Sequence, residues 1–352
     1  MRKRASRVLE GGAPRRRRKA TMKDVASLAG VSLATVSRTL SASTEVSPRL
    51  SRRVEAAAQR LDYAVNINAR GLRGKTSGLV VVLLPDIANP FFSVLLQGIE
   101  EQARSHDMAV LIGDTGVDYA IAETYWRLID GQRADGIILL NGFLPFPPGK
   151  WAVGDYPMVV VSERIVGVDA PLVGIDNVAA AFDAVSYLAR LGHRRIAYIC
   201  GPADNVLTHE RRAGYQKAVE AHDLEQWPEM SQPGAFSIRA GRLATARLLA
   251  AAPRPTAVFS ANDEIAIGAI IEAKAQGLRV PEDLSVVGFD DIEMGQICDP
   301  PLTTIYQPRR EMGRKALETL ARLVEAPGGP IGDTLLDYKL VVRDSAGPPS
   351  GR

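Results

Sequence analysis

The strongest constraint on the fold is an alternation of short apolar runs and helical segments, which begins at Leu79 and continues almost to the end of the chain. The runs predict strands at 79–84, 109–113, 136–140, 158–162, 172–175, 195–200, 256–260, 284–289 and 338–342. Helical spacing fills 91–105, 119–131, 178–191, 210–222, 239–252, 264–276 and 309–325. Because the strands are continuously apolar, they favour parallel sheets that are covered on both faces. The stretch is too long for a single sheet of this kind.

A different pattern, of short helices, precedes residue 79. Thr21 and Asp24 have the spacing of a capping box at a helix start. Val25 and Leu28 form the predicted apolar stripe of this helix, and Gly30 ends it where a left-handed residue is needed. A second helix over 33–40 follows immediately. Two short helices joined by a glycine-containing turn predict a helix-turn-helix.

The second and third helices complete this N-terminal prediction. Ser32 is the predicted cap of the second helix, and Ser47-Pro48 places a cap residue and a first-turn proline before the third. The residues predicted to face inward are Val36, Leu40, Val54, Ala58 and Leu61. The second-helix residues left facing outward, where a recognition helix meets the major groove, are Leu33, Ala34, Ser37 and Arg38.

The charge of the chain is divided unevenly. Residues 1–75 contain 18 Lys and Arg against 5 Asp and Glu, or +13, whereas the remainder contains 25 against 35, or −10. Basicity confined to one end points to a polyanionic partner there. Residues 1–20 have nine basic residues and few apolar ones. They predict a disordered arm, which either adds salt-sensitive phosphate contacts or is a solvated tail.

Several other classes of protein are not indicated. The chain has no apolar run long enough to cross a membrane and no apolar signal core near its start, so we expect a cytoplasmic, nucleoid-associated protein without a membrane partner. Cys200 and Cys298 lie in no metal-ligand spacing and are expected to be reduced thiols. The four histidines form no ligand cluster, and no catalytic motif stands out. We therefore predict no enzyme activity, no metal and no cofactor.

These motifs together resemble a known family. The run DVASLAGVSLATVSRTL, followed by RRVEAAAQRLDY and ARGLRGK, resembles the N-terminal headpiece of the LacI/GalR family of bacterial transcriptional regulators. The resemblance extends from residue 21 to about 344, through NPFF (89–92), RRAGY (211–215), ANDEIAIGAI (261–270), VPEDLSVVGFDD (280–291) and PPLTTIYQP (300–308). It implies an all-α helix-turn-helix headpiece plus an α/β periplasmic-binding-protein-like body of two parallel-sheet subdomains.

The resemblance also implies a division into domains. The expected parts are a disordered basic arm (1–20), the helix-turn-helix domain (21–65), a hinge helix (66–76), an effector-binding and dimerisation domain (77–345) and a tail (346–352). Within the large domain, the N-subdomain is expected at 77–176 and 307–334, and the C-subdomain at 177–304 and 335–345. The chain is expected to cross between them near 176–178, 305–308 and 332–337, with Thr303–Pro308 as one hinge strand.

The family's DNA contacts transfer to matching positions. Leu33, Ala34 and Arg38 match base-reading residues, and a guanidinium at Arg38 suits guanine O6 and N7. Thr21, Ser32, Ser37 and Ser47 match phosphate contacts. In the hinge, Asn66 and Ala69 match flanking contacts and Leu72 matches a leucine that wedges into the minor groove. Val65 departs from the proline that many members have there.

One string in the hinge imitates a nucleotide-binding motif. Residues 69–76, ARGLRGKT, fit a relaxed Walker A pattern. A phosphate loop follows a strand and opens a helix, whereas this string follows helical sequence and precedes a strand. Nucleotide hydrolysis is therefore not predicted.

Candidate ligand-binding residues lie beyond the carboxyl ends of the predicted strands, where open parallel sheets bind ligands. Arg211 is predicted to begin a helix. It matches an effector contact of the family, as do Phe236, Asn262 and Asp290. An aromatic face with amide and carboxylate groups suits a sugar or sugar derivative, although Arg211 alone equally suits a carboxylate or phosphate. Asp86 and Glu163 have a structural alternative as caps or surface groups. The full candidate set is Asp86, Phe91, Glu163, Arg211, Phe236, Asn262 and Asp290.

The expected function is that of a sequence-specific DNA-binding regulator, a repressor of a carbohydrate-metabolism operon. A small-molecule effector would switch its affinity for a pseudo-palindromic operator, by induction or corepression. The chain lacks a C-terminal leucine heptad, so a homodimer is expected. The alternative is a sugar-binding or sugar-processing protein without a DNA function.

Overall fold

The chain folds into two compact units, Met1–Ser77 and Gly78–Arg352. We call the first the N-terminal unit and the second the body. The structure, a computed structural model, describes residues 20–40, 46–63, 76–116, 118–131, 133–144, 156–227, 230–326 and 331–350. Within these residues, no helix has both the length and the apolar character needed to span a bilayer.

The N-terminal unit contains three helices around a small apolar core. The buried side chains of this core include Val25, Val36 and Val54, one from each helix. The prediction that Leu28 lies on the inner stripe is wrong, because its side chain is 47% exposed. The buried stripe runs through Ala29 instead, and Leu28 is rotated about 100° around the helix from that position. The helices are α1 (Met22–Ala29), α2 (Leu33–Leu40) and α3 (Pro48–Arg60).

The first sheet of the body has the strand order β11-β5-β4-β3-β1-β2 and is parallel throughout. Helices lie on both of its faces, which explains why its strands are apolar on both sides. Its strands are β1 (Leu79–Leu84), β2 (Ala109–Asp114), β3 (Gly136–Leu139), β4 (Met158–Val161), β5 (Leu172–Gly174) and β11 (Thr334–Leu335). Its helices are α4 (Pro90–Ser105), α5 (Tyr119–Asp130) and α11 (Arg309–Glu325). We call this part the first lobe.

The second sheet has the order β12-β10-β9-β8-β6-β7. Its pairs are parallel except at one edge, where β10 and β12 run antiparallel. Its strands are β6 (Ile196–Ile199), β7 (Ser231–Gln232), β8 (Ala257–Ser260), β9 (Ser285–Asp290), β10 (Thr303–Tyr306) and β12 (Lys339–Val341). Its helices are α6 (Asn177–Arg190), α7 (Val206–Ala221), α8 (Ile238–Ala250), α9 (Asp263–Ala275) and α10 (Glu293–Ile297). This second lobe confirms the predicted pair of parallel-sheet subdomains.

In the described part of the chain, the backbone passes between the two sheets after β5, after β10 and after β11. Two short elements, β7 and β11, have only two residues each and left no pattern in the sequence. The prediction that Arg211 begins a helix is wrong, because α7 begins at Val206 and Arg211 lies in its second turn. Asn205 caps this earlier start by accepting a hydrogen bond from the Thr208 amide.

Helices α4 and α11 pack backbone against backbone on one face of the first sheet. A Cβ atom on Gly98 of α4 would lie 2.0 Å from the carbonyl oxygen of Arg310, and one on Gly313 of α11 would lie 2.1 Å from that of Leu95. Real Cβ atoms do not approach a backbone oxygen so closely. Each helix therefore needs a glycine where the other passes.

We predict that Gly98→Ala destabilises the body by about 1–3 kcal/mol, because the two helices must separate to admit the methyl group. Urea unfolding followed by tryptophan fluorescence measures this change, since all three tryptophans lie in the body. Gly332→Ala is the matched control, because a Cβ atom there meets nothing within 4 Å. Equal unfolding midpoints for the two variants would contradict the prediction.

Candidate functional site

Helix α2 presents the residues that were predicted to read DNA bases. Leu33 is 39% exposed, and Ala34 and Arg38 are also exposed. Ala34 and Arg38 are four residues apart, so they lie on the same side of the helix. The Arg38 Nε donates to the Ala34 carbonyl oxygen at 3.4 Å, which keeps the guanidinium along this surface. Ser37 is half-buried beside them.

The residues predicted to contact phosphates lie at helix starts. Thr21 and Asp24 form the predicted capping box, in which the Thr21 Oγ1 accepts from the Asp24 amide and the Thr21 amide donates to the Asp24 carboxylate. The Ser32 Oγ accepts from the Thr35 amide at 3.1 Å. Ser47 occupies the capping position of α3 and Pro48 opens the helix, as predicted, although the Ser47 side chain makes no cap hydrogen bond. A helix start in general favours an anionic group such as a phosphate, which is consistent with the predicted contacts.

The remaining candidate DNA contacts, Asn66, Ala69 and Leu72, lie outside the described residues, as does most of the string that resembles a Walker motif. Their roles stay predictions from the sequence.

A cavity of about 510 Å³ lies between the two lobes of the body. All seven candidate ligand-binding residues line it, although they come from separate segments of the chain. They converge because parallel strands of each sheet end on the same side, where the loops after β1, β4, β8 and β9 meet. The wall contains Asp86, Phe91, Phe92, Tyr119, Asn141, Phe143, Glu163, Asp204, Asn205, Arg211, Phe236, Asn262 and Asp290, among others.

Arg211 is the buried cation of this cavity and is 3% exposed. Its Nε donates to the Asn177 Oδ1 at 3.1 Å, and its Nη1 donates to the Ala261 carbonyl oxygen. The guanidinium carbon lies 3.7 Å from the centre of the Phe289 ring, a cation–π contact. The Arg211 charge is thus held by the protein itself before any ligand binds.

Asp290 is the counter-charge of Arg211. Its Oδ1 lies 3.9 Å from the Arg211 Nη1 and accepts a hydrogen bond from the Gln307 Nε2 at 2.7 Å. Burial raises the pKa of the Asp290 carboxyl group, while Arg211 and Arg309 act against this rise. Gln307 follows β10, where the chain leaves the second lobe, so the cavity wall is bonded directly to a crossing segment.

The two residues with structural alternatives differ in their surroundings. Asp86 is exposed, and its Oδ1 accepts from the Ala88 amide of its own loop at 2.9 Å, so it has a local structural role as well as a place in the wall. Glu163 is buried, and its Oε2 accepts from the Asn205 Nδ2 at 2.9 Å. Burial raises the pKa of Glu163 to about 7, against the lowering effects of Arg211 and Asn205.

Three of the six non-glycine residues with positive φ in the described chain lie in the cavity wall or next to it. Ser162 (φ 71°), Asp290 (φ 119°) and Asp291 (φ 55°) have left-handed conformations that are unfavourable for residues other than glycine. Each costs on the order of 1–3 kcal/mol, and such conformations gather at functional sites. They lie at the ends of β4 and β9, where Glu163 and Asp290 enter the cavity wall.

Several residues of the cavity wall were not among the candidates predicted from the sequence. Asn141 and Asn205 follow strands β3 and β6, so the rule that found Asn262 also applies to them. Tyr119 and Phe143 pack edge to face with ring centres 4.9 Å apart, and no sequence signal marked this pair. The Asn141 side chain is 2% exposed, and neither its Oδ1 nor its Nδ2 has a hydrogen-bond partner.

Family comparison agrees with this arrangement. Residues 21–66 match the model of bacterial regulatory proteins of the lacI family, and residues 185–346 match a periplasmic binding protein-like domain. The chain is 42% identical over 327 residues to the HTH-type transcriptional repressor CytR of Escherichia coli strain K12, covering 93% of this chain and 96% of the relative. The chain belongs to the lacI family. It is accordingly a DNA-binding transcriptional regulator with a ligand-binding-type body.

Other lacI-family proteins are similar along nearly their whole length. The ribose operon repressor of Haemophilus influenzae is 31% identical, with 93% of this chain and 98% of the relative covered. Among solved structures, a lac repressor dimer bound to operator and the anti-inducer ONPF has a TM-score of 0.83 at 29% identity, covering 94% of this chain and 100% of that one. A complex of the transcriptional regulator CelR with cellobiose has a TM-score of 0.67 at 30% identity, covering 93% and 99%.

We predict that Glu163→Gln removes a pH-dependent loss of stability in the body. The folded chain has a pKa of about 7 at Glu163 against 4.5 for an unperturbed group. Between these pH values the folded state holds a proton that the unfolded state has released, so wild-type stability falls as pH rises. The unfolding free energy of the variant minus that of the wild type should therefore rise by about 2.5 kcal/mol from pH 5 to pH 8.

Urea unfolding at both pH values measures the difference. Glu225→Gln, at an exposed position, is the control and should give the same difference at pH 5 and pH 8. A pH-independent difference for Glu163→Gln would show that burial of this carboxyl group costs no stability.

Proposed function

We propose that this regulator represses a carbohydrate-metabolism operon and that a small molecule bound between the two lobes controls its affinity for operator DNA. The observation that carries this proposal is the convergence of Arg211, Asn262 and Asp290 on one cavity, with amide and carboxylate groups beside aromatic rings. Such a wall suits hydroxyl groups and ring C–H groups, so a sugar or sugar derivative is the proposed effector. The cellobiose ligand of the related CelR complex supports this class of compound.

The DNA partner is a pseudo-palindromic operator. Two copies of α2 would enter adjacent major-groove half-sites, with Leu33, Ala34 and Arg38 meeting base edges. Thr21, Ser32, Ser37 and Ser47 would contact phosphates, and the hinge at 66–76 would place Leu72 in the minor groove. The dimer of the related lac repressor on its operator supports a homodimeric arrangement. The proposed domain boundaries are those expected from the sequence.

The effector acts by stabilising one arrangement of the lobes over another. Asp290 contacts Gln307 on one crossing segment, and α11 begins immediately beyond it at Arg309. A ligand that changes the position of Asp290 therefore acts directly on the chain that joins the lobes. Effector binding and operator binding are then reciprocally linked, whichever sign the response has.

We further propose that the protein is not an enzyme and acts at the nucleoid in the cytoplasm. Two observations support this part of the proposal: the related CytR is a transcriptional repressor, and the buried charges of Arg211 and Asp290 are paired with each other. Turnover of any compound that stabilises the body would contradict this part of the proposal.

We predict that Arg38→Ala weakens specific operator binding by about tenfold or more and relaxes the preference for guanine at one position of each half-site. Selection from random DNA duplexes identifies the operator, and fluorescence anisotropy measures the affinity. Arg60→Ala, on the last turn of α3, removes the same charge and is the control. Equal losses on operator and random DNA for Arg38→Ala would remove it from base recognition.

We predict that Asp290→Asn weakens effector binding by about tenfold or more, because the amide no longer balances Arg211 or accepts charge-assisted hydrogen bonds from a ligand. A thermal-shift screen of sugars and sugar derivatives finds the effector, since binding raises the melting temperature of the body. Release of operator DNA then gives the dose response. Asp223→Asn, at an exposed position, should leave it unchanged. An unaltered response of Asp290→Asn would exclude this residue from the site.

A further inference from the structure

Glu163 connects the two lobes across the cavity. It follows β4 of the first lobe, yet its carboxyl group lies against the start of α7 in the second. Asn205, the cap residue of α7, accepts from the Thr208 amide through its Oδ1 and donates to the Glu163 Oε2 through its Nδ2 at 2.9 Å. The backbone of Leu207, in the first turn of α7, also lowers the Glu163 pKa by hydrogen bonding.

This contact fills an anion-binding position with the protein's own carboxyl group. A helix start offers unpaired amide groups and the positive end of the helix dipole, which together favour a phosphate or carboxylate. Here Glu163 occupies that place and packs over Gly142, where an added Cβ atom would lie 2.8 Å from the carboxyl carbon. Arg211 and Glu210, both on α7, are the charged side chains that act on it.

The other charges of the cavity also disfavour an anionic ligand. Arg211 is the single cationic side chain in the described wall, and it is already held by Asn177, the Ala261 carbonyl and Asp290. Asp86 and Asp204 add two further acidic side chains to the wall. A phosphate or carboxylate placed here would face several like charges without an available cation.

A neutral polar ligand finds complementary groups in the same wall. The buried Asn141 carboxamide has an unpartnered donor and an unpartnered acceptor. A hydroxyl or amide group of a ligand satisfies both without bringing charge. Leaving them unpaired in a closed cavity is unfavourable, so their presence favours an uncharged hydrogen-bonding group at this position.

We propose that Glu163 sets the charge class of the effector: its carboxyl group occupies the anion-binding start of α7, so the cavity accepts uncharged or cationic polar molecules and rejects sugar phosphates and sugar acids. This inference rests on the proposed function, in which the cavity binds the effector. Arg211 alone suits either a sugar or an anionic ligand with a carboxylate or phosphate, and the position of Glu163 favours the uncharged sugar.

The test uses the full chain and inorganic phosphate as the probe at pH 8, where the wild-type carboxyl group is charged. Glu163→Ala exposes the start of α7 and removes one acidic group, so phosphate should raise the melting temperature of the body by about 3 °C or more in a saturable manner. Sodium chloride at equal ionic strength should not. Wild-type protein should respond equally to the two salts. Tryptophan fluorescence restricts the readout to the body.

Two further variants separate the explanations. Glu225→Ala makes the same change in net charge at an exposed position and should gain no phosphate response. Glu163→Gln keeps the size of the side chain and its contact with Asn205, so it should fold like the wild type and gain a smaller response than Glu163→Ala. The proposal is overturned if neither Glu163 variant responds to phosphate beyond the wild type, or if Glu225→Ala responds as strongly.

Saturable stabilisation of the wild-type body by phosphate, glucose 6-phosphate or gluconate would also overturn the proposal. Failure here is distinct from failure of the proposed function, because that function is judged by effector-dependent release of operator DNA and this inference by phosphate binding to the body alone.

Discussion

Parallel pairing of strands is the constraint on which the body depends. A helix carries the chain back between successive parallel strands, so all these strands run in the same direction. Their carboxyl ends therefore lie side by side at one end of the sheet. In both lobes that end faces the cavity, which places residues as distant in sequence as Asp86 and Asp290 in one wall. The site therefore does not depend on any local motif. It depends on two sheets with corresponding strand orders, which are joined by three crossings in the described chain.

The buried guanidinium of Arg211 joins several elements of the second lobe. The guanidinium is hydrogen-bonded to Asn177 at the start of α6 and to the Ala261 carbonyl after β8, and it forms an ion pair with Asp290 at the end of β9. A buried guanidinium is tolerated only when its donors and its charge are both satisfied. Helix α7, which carries Arg211, must therefore keep its spacing to α6, β8 and β9. The cavity wall that these four elements form is preorganised for a ligand.

The sequence allowed most of the fold to be predicted, because long apolar runs and helical periods leave clear patterns. Strands of four to six residues, such as β1 and β9, lie where their apolar runs indicated. The two-residue strands β7 and β11 are too short to leave a period. The start of α7 was missed because its first turn, VLTHE, has two adjacent apolar residues followed by three polar ones and so shows no helical period. Leu28 was misplaced because α1 is only eight residues long and buries two alanines instead.

The cavity was predictable to the extent that its residues follow strands. Glu163 and Asp290 were found in this way, and Asn141 was within reach of the same rule. What the sequence did not indicate is how these groups are paired. The hydrogen bonds from Asn205 to Glu163 and from Gln307 to Asp290 join different segments of the chain. Such contacts carry no periodicity that a single sequence displays.

The glycine contacts between α4 and α11 give these two helices a mechanical role. Side chains between packed helices can change rotamer and absorb a small displacement, whereas a backbone oxygen against a glycine Cα leaves nothing to rearrange. Because α11 begins at Arg309, directly after the segment that leaves the second lobe, we expect α11 and α4 to follow a displacement of that segment together. The two helices therefore form one rigid element of the first lobe, attached to the second lobe by the short stretch of chain next to the ligand cavity.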